Sequence, residues 1–414
     1  MNPRKKSDTL NVQYEVADPA VMAIMPVVSV KMITYNHGHY LAEAIEGVIA
    51  QQTDFPIELV IAEDCSTDNT REIALDYQRL YPKLIRVIYS DHNVGMMVNS
   101  KRAMAACRGE FIAYCEGDDY WIDPNKLREQ VAVLKRFNNI DITFHSCYLK
   151  YEKQQKEILS NVQSPTDKVF TLSEVIAGDG GFMPSASLLV RRSLLVSIQD
   201  WFDATMPPVG DYFIQVFGSQ RGGAFYMNKP MSVYRTEVNE SWSETTSRLH
   251  GAVEFEKRFF SAVKELEYLI PGQEIVFHHL IVTHCSLRFI SATNESFIQI
   301  KELLLPVLKE LYESKTIVRH SSCSDRMELE YLLKLAVDRG KTRETDDQTC
   351  GLYRQLARVA KSLFDYGAII PSVIYTNWFG SNDYERTIAK WKMEAQRSYL
   401  IARYKRLCRL AIGK

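Results

Sequence analysis

Several things are scarce or missing in this sequence, and each absence removes a class of function. Its eight cysteines form no CxxC pair and repeat no spacing, which excludes a metal knuckle and a disulfide framework. They sit mostly in apolar strings, as small buried hydrophobes of a reducing compartment do, so an intracellular protein is expected. No stretch of about 18 uninterrupted apolar residues occurs, the least that a membrane-crossing helix needs. The early apolar piece "VMAIMPVVSVKMI" is broken by Pro26 and Lys31, and with the basic start before it fits neither a signal peptide nor a span. The formal net charge is only −1, so the basic footprint of a nucleic-acid binder is missing, and local charge must decide about partners. No internal repeat suggests a solenoid.

With 414 residues, 46% of them hydrophobic and 24% charged, the chain can bury a large core and a second, smaller one. From Val27 the pattern alternates strand and helix. "VVSVKMITYN", "IELVIAEDCS", "IRVIYS" and "GEFIAYC" read as buried strands; "YLAEAIEGVIAQ", "DNTREIALDYQRLYP" and "VNSKRAMAACR" read as the helices between them. That order predicts an α/β fold around a mostly parallel sheet, whose ligands gather beyond the carboxyl ends of its strands. Three strands there end in polar groups: Thr34, Tyr35 and Asn36; Glu63, Asp64 and Ser66; and Asp118 and Asp119. Taken singly, such residues are ordinary caps and turns, as Thr67, Asp68 and Asn69 are before the second helix. Together they predict one functional rim.

The stretch "CEGDDYWIDP" concentrates that rim's charge. Adjacent carboxylates repel one another and lose hydration when buried, so a site that keeps them supplies a cation. Hard divalent ions take oxygen ligands and bridge to phosphates, which points to Mg²⁺ or Mn²⁺ on a nucleoside diphosphate. Asp123, followed by Pro124, reads instead as the cap of the helix "KLREQVAVLKRF".

Four blocks in order then resemble a known family. "VSVKMITYNHGHYLAEAIEGVIAQ", "VIAEDCSTDNT", "NVGMMVNSKRAMAACRGEFIAYCEGDDYWIDPNKLREQ" and "VGDYFIQVFGSQRGGAFYMNKPMSVYR" are similar to family 2 glycosyltransferases of the GT-A fold, over residues 27 to about 243. The resemblance implies a Rossmann-like central mixed, mostly parallel sheet with flanking helices. It implies that Thr34, Tyr35 and Asn36 border the nucleotide, that Asp64 hydrogen-bonds its base, and that Asn93 and Gly95 shape the adjoining loop. It makes Asp118 and Asp119 the metal ligands on the diphosphate, Asp211 the catalytic base and Arg235 a diphosphate contact. The chain departs from the family at Glu116, where Asp is common, and at Glu237, where His is common.

The expected domains are an N-terminal extension at 1–26, a GT-A domain at 27–247 and a helical C-terminal domain at 248–414. The expected activity is metal-dependent, inverting sugar transfer from a nucleotide-diphosphate sugar, first of all a UDP-sugar, to a glycan or lipid-linked acceptor in cell-surface polysaccharide assembly. The alternatives are a nucleotidyltransferase, which would need a Gly-rich, Lys-containing loop after the first strand, and a non-catalytic nucleotide-sugar-binding or assembly protein. The basic, amphipathic tail "KWKMEAQRSYLIARYKRLCRLAIGK" suggests peripheral contact with the inner face of the cytoplasmic membrane. His37 and His39, at i, i+2 in a loop, carry no metal motif.

Overall fold

A computed structural model describes residues 14–238 and 249–274, together with 276–278, 280, 281 and 284. By contacts the chain divides into two compact units, Met1–Phe277 and His278–Lys414. The expected helices of the second unit and the basic tail lie outside the described residues, apart from the few named above.

In chain order the elements are β1 (Tyr14–Val16), α1 (Pro19–Met22), β2 (Val28–Thr34), α2 (Leu41–Ile49), β3 (Ile57–Glu63), α3 (Thr70–Leu80), β4 (Ile85–Tyr89), α4 (Met96–Ala106) and β5 (Phe111–Tyr114). Then come β6 (Tyr120–Trp121), α5 (Lys126–Arg136), β7 (Ile142–Tyr151), β8 (Lys156–Ser160), β9 (Lys168–Phe170), α6 (Leu172–Ala177), β10 (Leu189–Arg191), α7 (Arg192–Ser197), α8 (Gln199–Thr205), α9 (Asp211–Gly218) and β11 (Ala224–Thr236). A helix at Leu249–Leu269 follows. The strands form one sheet in the order β1-β4-β3-β2-β5-β10-β7-β11-β6, with β8 on β7 and β9 on β11.

The run β4-β3-β2-β5 is parallel, as the alternation of strands and helices requires. Its strands are buried on both faces, which is why they read as nearly continuous apolar strings. Helix α2 shows the complementary pattern: Leu41, Ala44, Ile45 and Val48 recur at helical spacing and are fully buried. Burying each large aliphatic side chain contributes roughly 1.5–3 kcal/mol, so this layer is the main source of stability. Beyond β5 the sheet turns mixed: β10 runs antiparallel to both β5 and β7, and β11 parallel to β7.

The N-terminal segment is part of this domain from Tyr14 onward. β1 pairs antiparallel with the edge strand β4. Behind it, Glu58 accepts from Ser29 Oγ (2.6 Å), Arg86 Nη1 (2.9 Å) and Arg108 Nη2 (2.7 Å), while Arg86 also reaches Glu15 and Arg108 reaches the carbonyl oxygens of Val21 and Met22. Buried guanidinium groups need such partners, and residues 15–22 supply several of them. At the other end, Phe259 of the helix Leu249–Leu269 packs on Tyr212 and Phe213 of α9, so the compact unit runs past the partition expected at 247/248.

Candidate active site

The polar strand ends meet as one rim. Asp64 N–H donates to Thr34 O (3.1 Å), Gly117 N–H to Ile33 O (2.9 Å), and Cys115 N–H to Lys31 O (3.1 Å), which joins the ends of β2, β3 and β5. Asn36, with φ 56°, donates its N–H to Ser66 Oγ (3.0 Å) and accepts from Thr67 N–H (2.9 Å) at its side-chain oxygen. Asn tolerates this left-handed backbone better than most residues, so the sequence choice follows from the turn. Asp68 ties the same loops together, accepting from Gly38 N–H and Thr70 N–H (both 2.9 Å).

Asp64 lies where the sequence places it, yet its carboxylate is already engaged. It is 2% exposed and accepts from Val94 N–H (2.8 Å) at one oxygen and from Gly95 N–H (2.9 Å) at the other. In this structure it shapes the loop that follows β4. Asn93 Nδ2 completes that loop by donating to Asp64 O (3.1 Å), and Gly95, with φ 84°, opens α4 in a conformation that a side chain would strain. Tyr35 stays 37% exposed at the lip.

The acidic loop encloses unsatisfied polar atoms. Thr34 Oγ1, His37 Nδ1 and Glu116 Oε2 are buried without a hydrogen-bond partner. A Cβ on Gly117 would stand 2.6 Å from Thr34 Oγ1 and 3.0 Å from His37 Nδ1, so the missing side chain is what lets these atoms approach. His37 Nε2 lies 3.8 Å from Asp118 Oδ2, and Asp118 is partly open to solvent. Three such atoms gathered beside an acidic loop at the strand ends are what a ligand-binding rim offers.

Asp119 behaves differently from Asp118. It is 2% exposed, its Oδ1 accepts from Arg235 N–H (2.9 Å), and burial and the Asp118 charge push its pKa well up. Among the described residues no group of three or more His, Cys, Asp or Glu is arranged to hold a metal ion. A hard cation fits the open carboxylate of Asp118 with the orphaned oxygens beside it. Asp119, expected as the second ligand, is more buried and holds β11 through its Oδ1.

The buried Lys31 and the partly buried Glu116 and Asp211 act on one another electrostatically. Burial pushes Glu116 up to about 7, opposed by Lys31 and reinforced by Asp118 and Asp211. Burial also pushes Asp211, the first residue of α9, up to about 6, opposed by the N–H of Tyr212 (2.8 Å) and by Lys31. Lys31 is 3% exposed in mid-strand, with Nζ 4.6 Å from the Tyr114 ring centroid, and burial lowers its pKa. Sequence reasoning takes Lys31 only as a break in an apolar string, although a charged residue inside a buried strand is itself the signal of a polar site.

Arg235 is engaged on every side by protein groups. Its Nε donates to Glu152 Oε1 (2.8 Å), its Nη1 to Asp118 O (2.6 Å) and its Nη2 to Glu43, and its side chain is 1% exposed. In this structure the guanidinium expected at the diphosphate is surrounded by protein groups.

The model of the family described as "Glycosyl transferase family 2" matches residues 29–197. Over that span the chain is similar to family 2 glycosyltransferases. An uncharacterized protein, Rv1520, of Mycobacterium tuberculosis (strain ATCC 25618 / H37Rv) is 35% identical over 214 residues, which cover 52% of this chain and 60% of that protein. The dTDP-rhamnosyl transferase RfbG of Shigella flexneri is 26% identical over 218 residues, covering 50% of this chain and 72% of RfbG. Residues 1–349 of S. aureus TarS, solved in complex with UDP-GlcNAc, superpose with a TM-score of 0.56 at 17% identity, over 76% of this chain and 91% of that one. The chain thus spans 60% of the length of the mycobacterial relative, and the likeness to TarS is one of fold. That fold is the GT-A arrangement, with the rim just described at the carboxyl ends of its parallel strands.

Proposed function

We propose that this protein is a metal-dependent, inverting glycosyltransferase that moves a sugar from a nucleotide-diphosphate donor, first of all a UDP-sugar, to a glycan or lipid-linked acceptor of a cell-surface polysaccharide. The observation that carries this reading is the convergence of Asp118, the orphaned Thr34, His37 and Glu116 atoms and the raised Asp211 carboxylate on one rim. The family 2 match and relatives named as sugar transferases support it. Asp118 holds the divalent cation, Mn²⁺ or Mg²⁺, which when bound offsets the negative charge of the departing diphosphate.

Asp211 is the base. It takes the proton of the acceptor hydroxyl as that oxygen forms its bond to the anomeric carbon; the bond from that carbon to the diphosphate breaks, and its electron pair leaves with the nucleoside diphosphate. A carboxyl raised to about 6 is still ionised at neutral pH while more basic than an ordinary one, which suits the task. Thr34, Tyr35 and Asn36 border the nucleotide, and Asp64, Asn93 and Gly95 hold the loop beside it. The catalytic site of this proposal lies within residues 27–247, set in the cytoplasm. The basic tail meets the membrane surface, where lipid-linked acceptors are found. Among the described residues no helix is long and apolar enough to cross a membrane.

The test is a panel of nucleotide sugars with Mn²⁺ or Mg²⁺, scoring released nucleoside diphosphate for wild type, Asp118→Ala and Asp211→Asn. One productive donor, lost in both variants, is expected. Metal-dependent binding without turnover for any donor and acceptor would favour a sensor, and absence of nucleotide binding would end the reading.

A further inference from the structure

The acidic loop Glu116–Asp119 has few internal bonds of its own. Asp119 N–H donates to Glu116 O (3.1 Å), and the loop continues into β6, whose two residues pair with Ser232 and Val233 of β11. The direction of Asp118 therefore depends on what fastens this loop from outside. Arg235 does so twice. Its backbone N–H binds the Asp119 carboxylate, and its guanidinium binds the Asp118 carbonyl. The guanidinium is fixed by Glu43 of α2 and by Glu152 just after β7, and lies against the rings of Tyr40 (5.0 Å) and Tyr120 (4.4 Å). A planar fork with five donors can serve three acceptors in fixed directions while its faces stack on aromatic rings. An ammonium cannot do this.

We infer that Arg235 is a positioning residue: clamped by Glu43 and Glu152 between two tyrosines, it holds the Asp118–Asp119 peptide so that the Asp118 carboxylate faces the donor pocket. The inference rests on the donor-site reading above. It differs from a phosphate-binding arginine in a testable sign. Were Arg235 a phosphate ligand, Glu43 and Glu152 would compete with the phosphates for it, and removing them would tighten binding. For a clamp, they hold the guanidinium in place, and removing them loosens Asp118.

The experiment uses the full chain and Mn²⁺, followed by its electron paramagnetic resonance signal with and without UDP, GDP or dTDP. Melting temperatures are taken in parallel. Glu43→Gln, at a half-exposed side chain, and Glu152→Gln are each expected to fold and to weaken Mn²⁺–nucleotide binding about fivefold; Arg235→Lys should weaken it tenfold or more, and Mn²⁺ alone should follow the same order. Unchanged or tighter binding in the two glutamine variants overturns the clamp while the donor-site reading stands. A lowered melting temperature with unchanged affinity, showing a merely structural role, also overturns it. Wild-type protein that binds Mn²⁺ with none of the three nucleotides removes the donor-site reading and this inference with it.

Discussion

Replacing Asp211 with Asn should make the protein more stable and inactive at the same time. The carboxyl sits at the first position of α9, where burial outweighs the help it receives from the Tyr212 N–H and from Lys31, and its pKa rises from 3.8 to about 6. Between those values the folded state binds more protons than the unfolded chain. Stability therefore falls as pH rises from about 4 to 6 and then levels off. At about 1.4 kcal/mol per pH unit, a shift of about two units costs at most about 3 kcal/mol at pH 7. The residue is partly exposed, so screening reduces this to about 1–2 kcal/mol. An Asn oxygen can still accept from Tyr212 N–H, and the variant escapes the cost. Urea unfolding at pH 4, 5, 6 and 7 should show its advantage over wild type growing up to pH 6 and constant above. Sugar transfer should fall by roughly 10²–10⁴, the contribution of a positioned base. An Asp211→Asn variant no more stable than wild type at pH 7 would refute the argument that this carboxylate is held against its hydration; activity within tenfold of wild type would refute its role as base.

Three further outcomes follow from residues away from the base. Lys126 is fully buried, with Nζ 2.8 Å from Gln130 Oε1 and 4.1 Å from the Trp121 ring centroid, and burial lowers its pKa from 10.5 to about 7. The unfolded chain then binds more protons between these values, so wild type should gain about 2 kcal/mol relative to Lys126→Met between pH 7 and 9; parallel pH curves in chemical denaturation would show that the amine is not buried. Gly47→Ala improves helix propensity by about 1 kcal/mol, but its Cβ would lie 2.8 Å from Trp121 O and 2.9 Å from Trp121 N. Net destabilisation of about 1–2 kcal/mol is expected, and a higher melting temperature would contradict the close approach of α2 to β6. Glu58→Gln strips the buried Arg86 and the half-buried Arg108 guanidinium groups of their shared carboxylate, at a cost of about 3 kcal/mol, while nucleotide affinity measured well below the melting temperature should stay within twofold, because this cluster lies at the opposite ends of the strands.

What the sequence disclosed is what is written in short range. The parallel strands betray themselves because both faces are buried, so their apolar strings are continuous. The helices betray themselves by spacing, and the rim by polar residues at three strand ends. β1 and β6 were not legible. Each is only two or three residues long, and each exists because a partner strand offers it an edge. The mixed half of the sheet was also hidden, since the pairing of β10 with both β5 and β7 is set by contacts between distant segments.

The same difference in range separates the site residues whose neighbours could be read from those whose neighbours could not. Asp118 is identifiable because its surroundings, Glu116, Gly117 and Asp119, adjoin it in the chain. Arg235 lies near the end of β11, and a free guanidinium there would be the natural guess. Glu43, Glu152 and the two tyrosines decide otherwise, and Glu43 stands 192 positions away. Asp64 is a second instance: Val94 and Gly95, which occupy its carboxylate, come from the loop after the next strand. In both cases the type and place of the residue were legible, and its role turned on hydrogen bonds that only the folded sheet creates. A charged side chain is free to meet a ligand only when the fold has not already satisfied it. On this rim Asp118 is partly open to solvent, whereas Asp119 and Arg235 are buried and bonded within the fold.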